Sequence, residues 1–146
     1  MAAEKTMHVR LEQVGPAAFE ATAGSGGKLV VDGAPDIGGE GRGMRPMELL
    51  LSAVASCSLM DVVHILRKQK EPVEHLSVDI EGARKDAVPA PFTRIKLVFV
   101  ARGNVDDHKL QRAVKLAVEK YCSVSATLAS DVEITWEARL EAAKAT

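Results

Sequence analysis

The chain is poor in aromatic residues, with one Trp, one Tyr and three Phe in 146 positions. That scarcity argues against the stacking platforms on which single-stranded nucleic acids are bound. It has no excess charge of either sign, since 19 Lys and Arg stand against 20 Asp and Glu for a net charge of −1. No bulk attraction to nucleic acid or to an anionic membrane is expected. Cysteine occurs only at Cys57 and Cys122, with no Cys-x-x-Cys or Cys/His spacing, so no structural zinc is expected. His8, His75 and His108 are scattered without metal-ligand spacing. Gly38-Gly39-Glu40-Gly41-Arg42-Gly43 lacks the spacing of a dinucleotide fingerprint or a phosphate-binding loop. The N-terminus has no charged, apolar, then small leader pattern, which points to the cytoplasm. The longest uncharged apolar run, Leu49 to Met60, falls short of the ~20 residues a membrane span needs.

What remains is the composition of a folded globular chain, 47% hydrophobic and 27% charged. The length fits a single domain over residues 1–146. Met7 to Gln13 and Ala17 to Thr22 alternate as strands around a Gly15-Pro16 turn, and Lys28 to Val31 forms a third. Asp32 to Arg45, rich in Gly and charge, reads as an exposed loop. Pro46 opens a helix over Met47 to Lys70, because a first-turn proline has no amide hydrogen to lose. Glu48 suits its positive end, Lys68 and Lys70 its negative end, and Pro72 closes it. From Leu49 to Met60 this helix is apolar on nearly every side, as core helices are. One short chain covers such a helix poorly, so a homodimer is expected. Leu76 to Arg84 and Thr93 to Arg102 have period-two patterns and form a long hairpin, broken at Pro89 and Pro91. A second helix starts at Asp106 and Asp107, with Leu110, Val114, Ala117, Val118 and Tyr121 as its apolar stripe. Val132 to Trp136 is the last strand. The order β-β-β-α-β-β-α-β makes the fold class α+β.

The two thiols are either inert filling, a common fate of free cysteine, or a two-step redox pair. In the second case a thiolate opens a peroxide O–O bond, becomes a sulfenic acid, and is captured by the other thiol as a disulfide. Cys57 lies mid-helix, where apolar burial disfavours the thiolate, so its activation requires a cation from elsewhere. Arg42 and Arg45 precede the helix; of the two, Arg45 adjoins its start. Asp61 and His64 come after Cys57 on the helix and are read as structural or pocket-shaping groups, because a buried carboxylate is costly without a partner. Ser125 reads as a cap or turn residue.

Pro46-Met47-Glu48-Leu49 leading to Cys57, with Tyr121-Cys122-Ser123-Val124-Ser125 near the end of the second helix, resembles the OsmC/Ohr superfamily over nearly the whole chain. Cys57-Ser58-Leu59-Met60-Asp61-Val62-Val63 is most like the YhfA-type OsmC-like branch. The resemblance implies an intertwined homodimer whose central helices are wrapped by β-sheets, with the paired cysteines at the subunit interface. It implies a stress-response, antioxidant thiol peroxidase acting on organic hydroperoxides, with Cys57 attacking and Cys122 resolving. A dithiol reductant such as a lipoylated protein would restore the enzyme, and neither metal nor cofactor would be used. The peroxidases of the family carry a glutamate directly after the proline and an arginine from the first hairpin region. Here Met47 fills the first slot and Glu48 stands one residue on, while Gln13 to Pro16 holds no arginine. Arg45 is then the expected substitute. The rival expectation is a non-catalytic small-ligand or stress-associated protein on the same scaffold, whose cysteines line an apolar pocket.

Overall fold

The computed structural model describes residues 3–144. The chain falls into two compact units, Met1–Leu50 and Leu51–Thr146. In the first, strands β1 (Val9–Gln13), β2 (Ala18–Ala23) and β3 (Lys28–Asp32) form an antiparallel meander in that order. The segment after β3 is largely exposed, as its composition suggests, but its backbone is gathered onto a buried carboxylate. Asp32 is buried, and its carboxylate accepts three backbone N–H bonds, from Gly33 at 2.8 Å and from Glu40 and Arg42 at 3.0 Å each. A buried carboxylate is tolerated when its lone pairs are filled in this way. The Arg42 guanidinium donates to the Val14 carbonyl, and Asp32 N donates to Met44 O at 3.0 Å. The glycines allow this close return of the chain. A Cβ at Gly43 would lie 1.9 Å from the Val30 carbonyl oxygen, so the Gly-rich stretch serves backbone packing.

Helix α1 (Pro46–Lys68) begins on a cap. The Glu48 carboxylate accepts the Arg45 amide hydrogen at 3.0 Å, which satisfies one of the donors a helix start leaves unpaired. At 23 residues α1 is long and apolar enough, by length and composition alone, to cross a membrane, and 28% of its apolar window is buried.

In the second unit, β4 (Val73–Arg84), β5 (Phe92–Gly103) and β6 (Glu133–Glu141) form a sheet in chain order. The pair β4/β5 is antiparallel and β5/β6 is parallel. A parallel neighbour demands a crossover of a dozen or more residues. Here it comprises α2 (Asp107–Leu116), one π turn (Ala117–Tyr121) and α3 (Ser123–Thr127). Along β5, the alternate residues Ile95, Leu97, Phe99 and Ala101 are at most 1% exposed. With Val54, Val62 and Leu66 of α1 and Leu110, Ala113 and Val114 of α2 they make up the core of this unit. Asp106 caps α2 by accepting from Lys109 N at 3.0 Å. Glu71, just past α1, accepts from Asp106 N at 3.1 Å and pairs with Lys109 Nζ at 3.0 Å.

The element order is the expected β-β-β-α-β-β-α-β, with β4 starting earlier and β6 ending later than their alternation indicates. The π turn, α3 and the parallel placement of β6 are additions from the tertiary structure.

Backbone donation from Arg42 and Glu40, outweighing the opposing effect of burial and assisted by Gly33 and the Arg42 charge, holds the Asp32 carboxyl below its usual value. Its contribution to stability is therefore complete above the unfolded Asp value of about 3.9 and is lost as pH falls through the lower folded value. Asp32→Asn replaces one acceptor oxygen by a donor facing N–H groups. Thermal melts should show a lower Tm for the variant at neutral pH, with the gap to the parent narrowing below about pH 4. A gap unchanged by acid would deny Asp32 this role.

Candidate active site

Cys57 is partly exposed in the middle of α1, while Cys122 is 4% exposed directly after the π turn. The π turn explains why Cys122 faces inward. An i→i+5 turn widens the helix and shifts the phase of the residues after it. Tyr121, expected on the buried stripe, is 50% exposed instead, and Cys122 takes the inner position. Leu110, Val114, Ala117 and Val118 are buried as expected.

The Cys122 sulfur is well supplied with hydrogen-bond donors. It receives the Ser125 amide at 3.3 Å and the Ser125 hydroxyl at 3.1 Å. Its own hydrogen has the Val54 carbonyl as an acceptor, at a long 3.9 Å. The Cys57 thiol of α1 acts on the same sulfur as a further donor. Burial pushes the Cys122 thiol up and is the largest single influence. The Ser125 hydroxyl and amide, then the Ser58 hydroxyl and the Cys57 thiol, together outweigh it and bring the value below that of an ordinary thiol. Ser58 is fully buried, and its Oγ makes no hydrogen bond of ordinary geometry.

Arg45 and Glu48 belong to the first unit, where the Arg45 backbone and Glu48 carboxylate form the α1 cap. The Arg42 side chain is engaged with Val14. Asp61 has one carboxylate oxygen buried without a partner. His64 is exposed and lines an open groove of about 530 Å³ with Leu59, Met60, Val63, Arg67 and Leu76. Sequence reasoning does not assign Ser58 or Ser125 to the thiol site. The spacing Cys122-x-x-Ser125 matches a helix cap accepting from the third residue on, and that pattern is the available signal. Among the described residues no cluster of His, Cys, Asp and Glu could hold a metal ion.

Residues 39–137 match the family described as OsmC-like protein. The chain is 35% identical over 130 residues to Protein YhfA of Escherichia coli K12, covering 88% of this chain and 94% of that relative. It is similar to the crystal structure of a hypothetical protein from Aquifex aeolicus, at a TM-score of 0.79 and 35% identity, covering 94% of this chain and 99% of that one. The organic hydroperoxide resistance protein OhrB of Bacillus subtilis shares the fold at a TM-score of 0.64 and 18% identity, covering 92% and 98% of the two chains.

The difference in exposure sets an order of labelling. A bulky thiol reagent at limiting concentration should modify Cys57 before Cys122 in the native protein, as read by peptide mass spectrometry, and both equally after denaturation. Faster native labelling of Cys122 would contradict the placement of its sulfur.

Proposed function

We propose that this chain, which belongs to the OsmC-like protein family, is a thiol-dependent peroxidase that reduces organic hydroperoxides through Cys57 and Cys122. The observation that carries the reading is the Cys122 sulfur held among donors that favour its anionic form, the Cys57 thiol among them. The fold shared with an organic hydroperoxide resistance protein supports it by analogy, since a fold alone does not fix an activity.

The partly exposed Cys57 is the sulfur that substrate reaches. It attacks the distal peroxide oxygen, the O–O bond breaks, the alcohol departs with a proton, and Cys57 becomes a sulfenic acid. The Cys122 thiolate then attacks the Cys57 sulfur, the S–O bond breaks, hydroxide leaves, and a disulfide forms. A dithiol reductant, such as a lipoylated protein, returns both thiols by exchange. The apolar stretch of α1 around Cys57, Leu49 to Met60, suits an alkyl hydroperoxide better than hydrogen peroxide, because burying alkyl surface adds to binding. The cycle needs neither metal nor cofactor and suits a reducing cytoplasm.

The exposed apolar side of α1, with Met60 69% exposed, suits coverage by a second copy of the chain. We therefore include a homodimer in the proposal, with no role for nucleic acid or a membrane. Arg45, Glu48, Asp61 and His64 have at most supporting roles in the reaction.

The test is a count of free thiols. One equivalent of cumene hydroperoxide should remove both thiols, and a dithiol should restore them. In Cys122→Ser the sulfenic acid on Cys57 should form more slowly than in the parent but persist and be trapped by dimedone, and Cys57→Ser should consume no peroxide. Two thiols remaining throughout would instead favour a non-catalytic small-ligand protein, for which the groove beside His64 is the candidate pocket.

A further inference from the structure

Three features of the second unit have no stated role in the steps of the cycle above: the Ser58 hydroxyl and the Asp61 oxygen, each buried without a partner, and the double donation from Ser125. The first and third converge on one atom. We infer that Ser125 and Ser58 are positioning residues that hold Cys122 as the anionic sulfur of the reduced pair, so that Cys122 takes the Cys57 proton as Cys57 attacks the peroxide. This deepens the peroxidase reading and rests on it.

The geometry around the sulfur is unbalanced in favour of the anion. Two donors from one residue lie at 3.3 and 3.1 Å, whereas the acceptor for a thiol hydrogen, Val54 O, lies at 3.9 Å. Ser58 Oγ is fully buried and unpartnered, and a buried hydroxyl without a partner is destabilising unless an acceptor stands close by. An anionic sulfur is such an acceptor. The groups acting on this sulfur are Cys57 and Ser58 from α1 and Ser125 from α3, and Cys57 is the titratable one among them. Asp61 and His64 stand further along α1, and Glu119, Lys120 and Tyr121 lie on the exposed side of the π turn. The charge is thus held by neutral dipoles, which offers an answer to the family arginine missing from the first hairpin.

The proton traffic balances. The Cys57 S–H hydrogen passes to the Cys122 sulfur while the Cys57 electron pair attacks the distal oxygen of the organic hydroperoxide. The O–O bond breaks and the alkoxide leaves, then takes the hydrogen from Cys122, which is again a thiolate. That thiolate displaces hydroxide from the Cys57 sulfenic acid. The sum is one thiol, one thiolate and one hydroperoxide giving one disulfide, one alcohol and one hydroxide.

The test titrates thiolate by its ultraviolet absorbance in the reduced full-length protein, without peroxide, so its outcome is independent of whether turnover occurs. The step at lowest pH should survive in Cys57→Ser and vanish in Cys122→Ser. Ser125→Ala should move it up by about one pH unit, a tenfold loss of thiolate at fixed pH, and Ser125→Thr, which keeps a hydroxyl, should move it less. Ser58→Ala should also move the step up, because it removes a donor from the anion. A purely structural serine would change Tm and leave the titration where it was. If Ser125→Ala fails to fold, the Ser58→Ala titration and the comparison of the two cysteine variants still decide. A lowest step that survives in Cys122→Ser and vanishes in Cys57→Ser would overturn the inference, as would a step unmoved by the serine substitutions. Persistent thiols under cumene hydroperoxide with the titration as expected would defeat the peroxidase reading alone.

Discussion

At the end of the π turn the Cys122 sulfur is removed from water and receives the amide and hydroxyl hydrogens of Ser125 instead. Burial by itself would keep that sulfur protonated and unreactive. The hydrogen bonds reverse the balance, and they do so in a medium where each dipole acts more strongly than in water. The chemistry attributed to this chain depends on that reversal. Without it the pair would be two core thiols, one of them filling space.

The surrounding architecture serves to fix where that sulfur lies. Because β6 runs parallel to β5, the chain must return the length of the sheet, and α2 with the π turn and α3 makes the return. The buried faces of β5 and α2 hold the crossover in register. The π turn then rotates Cys122 inward and lets Ser125, in the first turn of α3, reach back to it. A regular α-helix through the same residues would keep to the stripe expected from sequence and bury Tyr121 in place of the cysteine. In the first unit Asp32 serves a comparable purpose for the backbone, gathering three amide hydrogens from a stretch that would otherwise have no regular partners.

Much of this was legible in the residues. The alternation in β1 to β5, the proline at the start of α1, and the aspartates at the start of α2 locate those elements because they report local preferences. The two cysteines stood out because each lies in a distinctive segment, Pro46 to Cys57 and Tyr121 to Ser125, and those segments carry the family resemblance. What was illegible is non-local. Composition marks Asp32 to Arg45 as a largely solvated loop, which it is, but it does not show that those amides converge on one carboxylate. A widened helical turn has no period of its own in the sequence. A cation is the commonest means of stabilising a thiolate, so sequence reasoning turns to the arginines and passes over two serines whose hydroxyls reach the sulfur only in the folded chain.

The central claim is that Cys57 and Cys122 act on each other within one chain. Peptide mapping by mass spectrometry, after one equivalent of organic hydroperoxide and quenching of free thiols, tests it most directly. The account predicts one cross-linked species, joining the peptide of Cys57 to the peptide of Cys122 from the same chain. Recovery of Cys57 as a sulfinic acid beside an unmodified Cys122, or of both as free thiols, would contradict it.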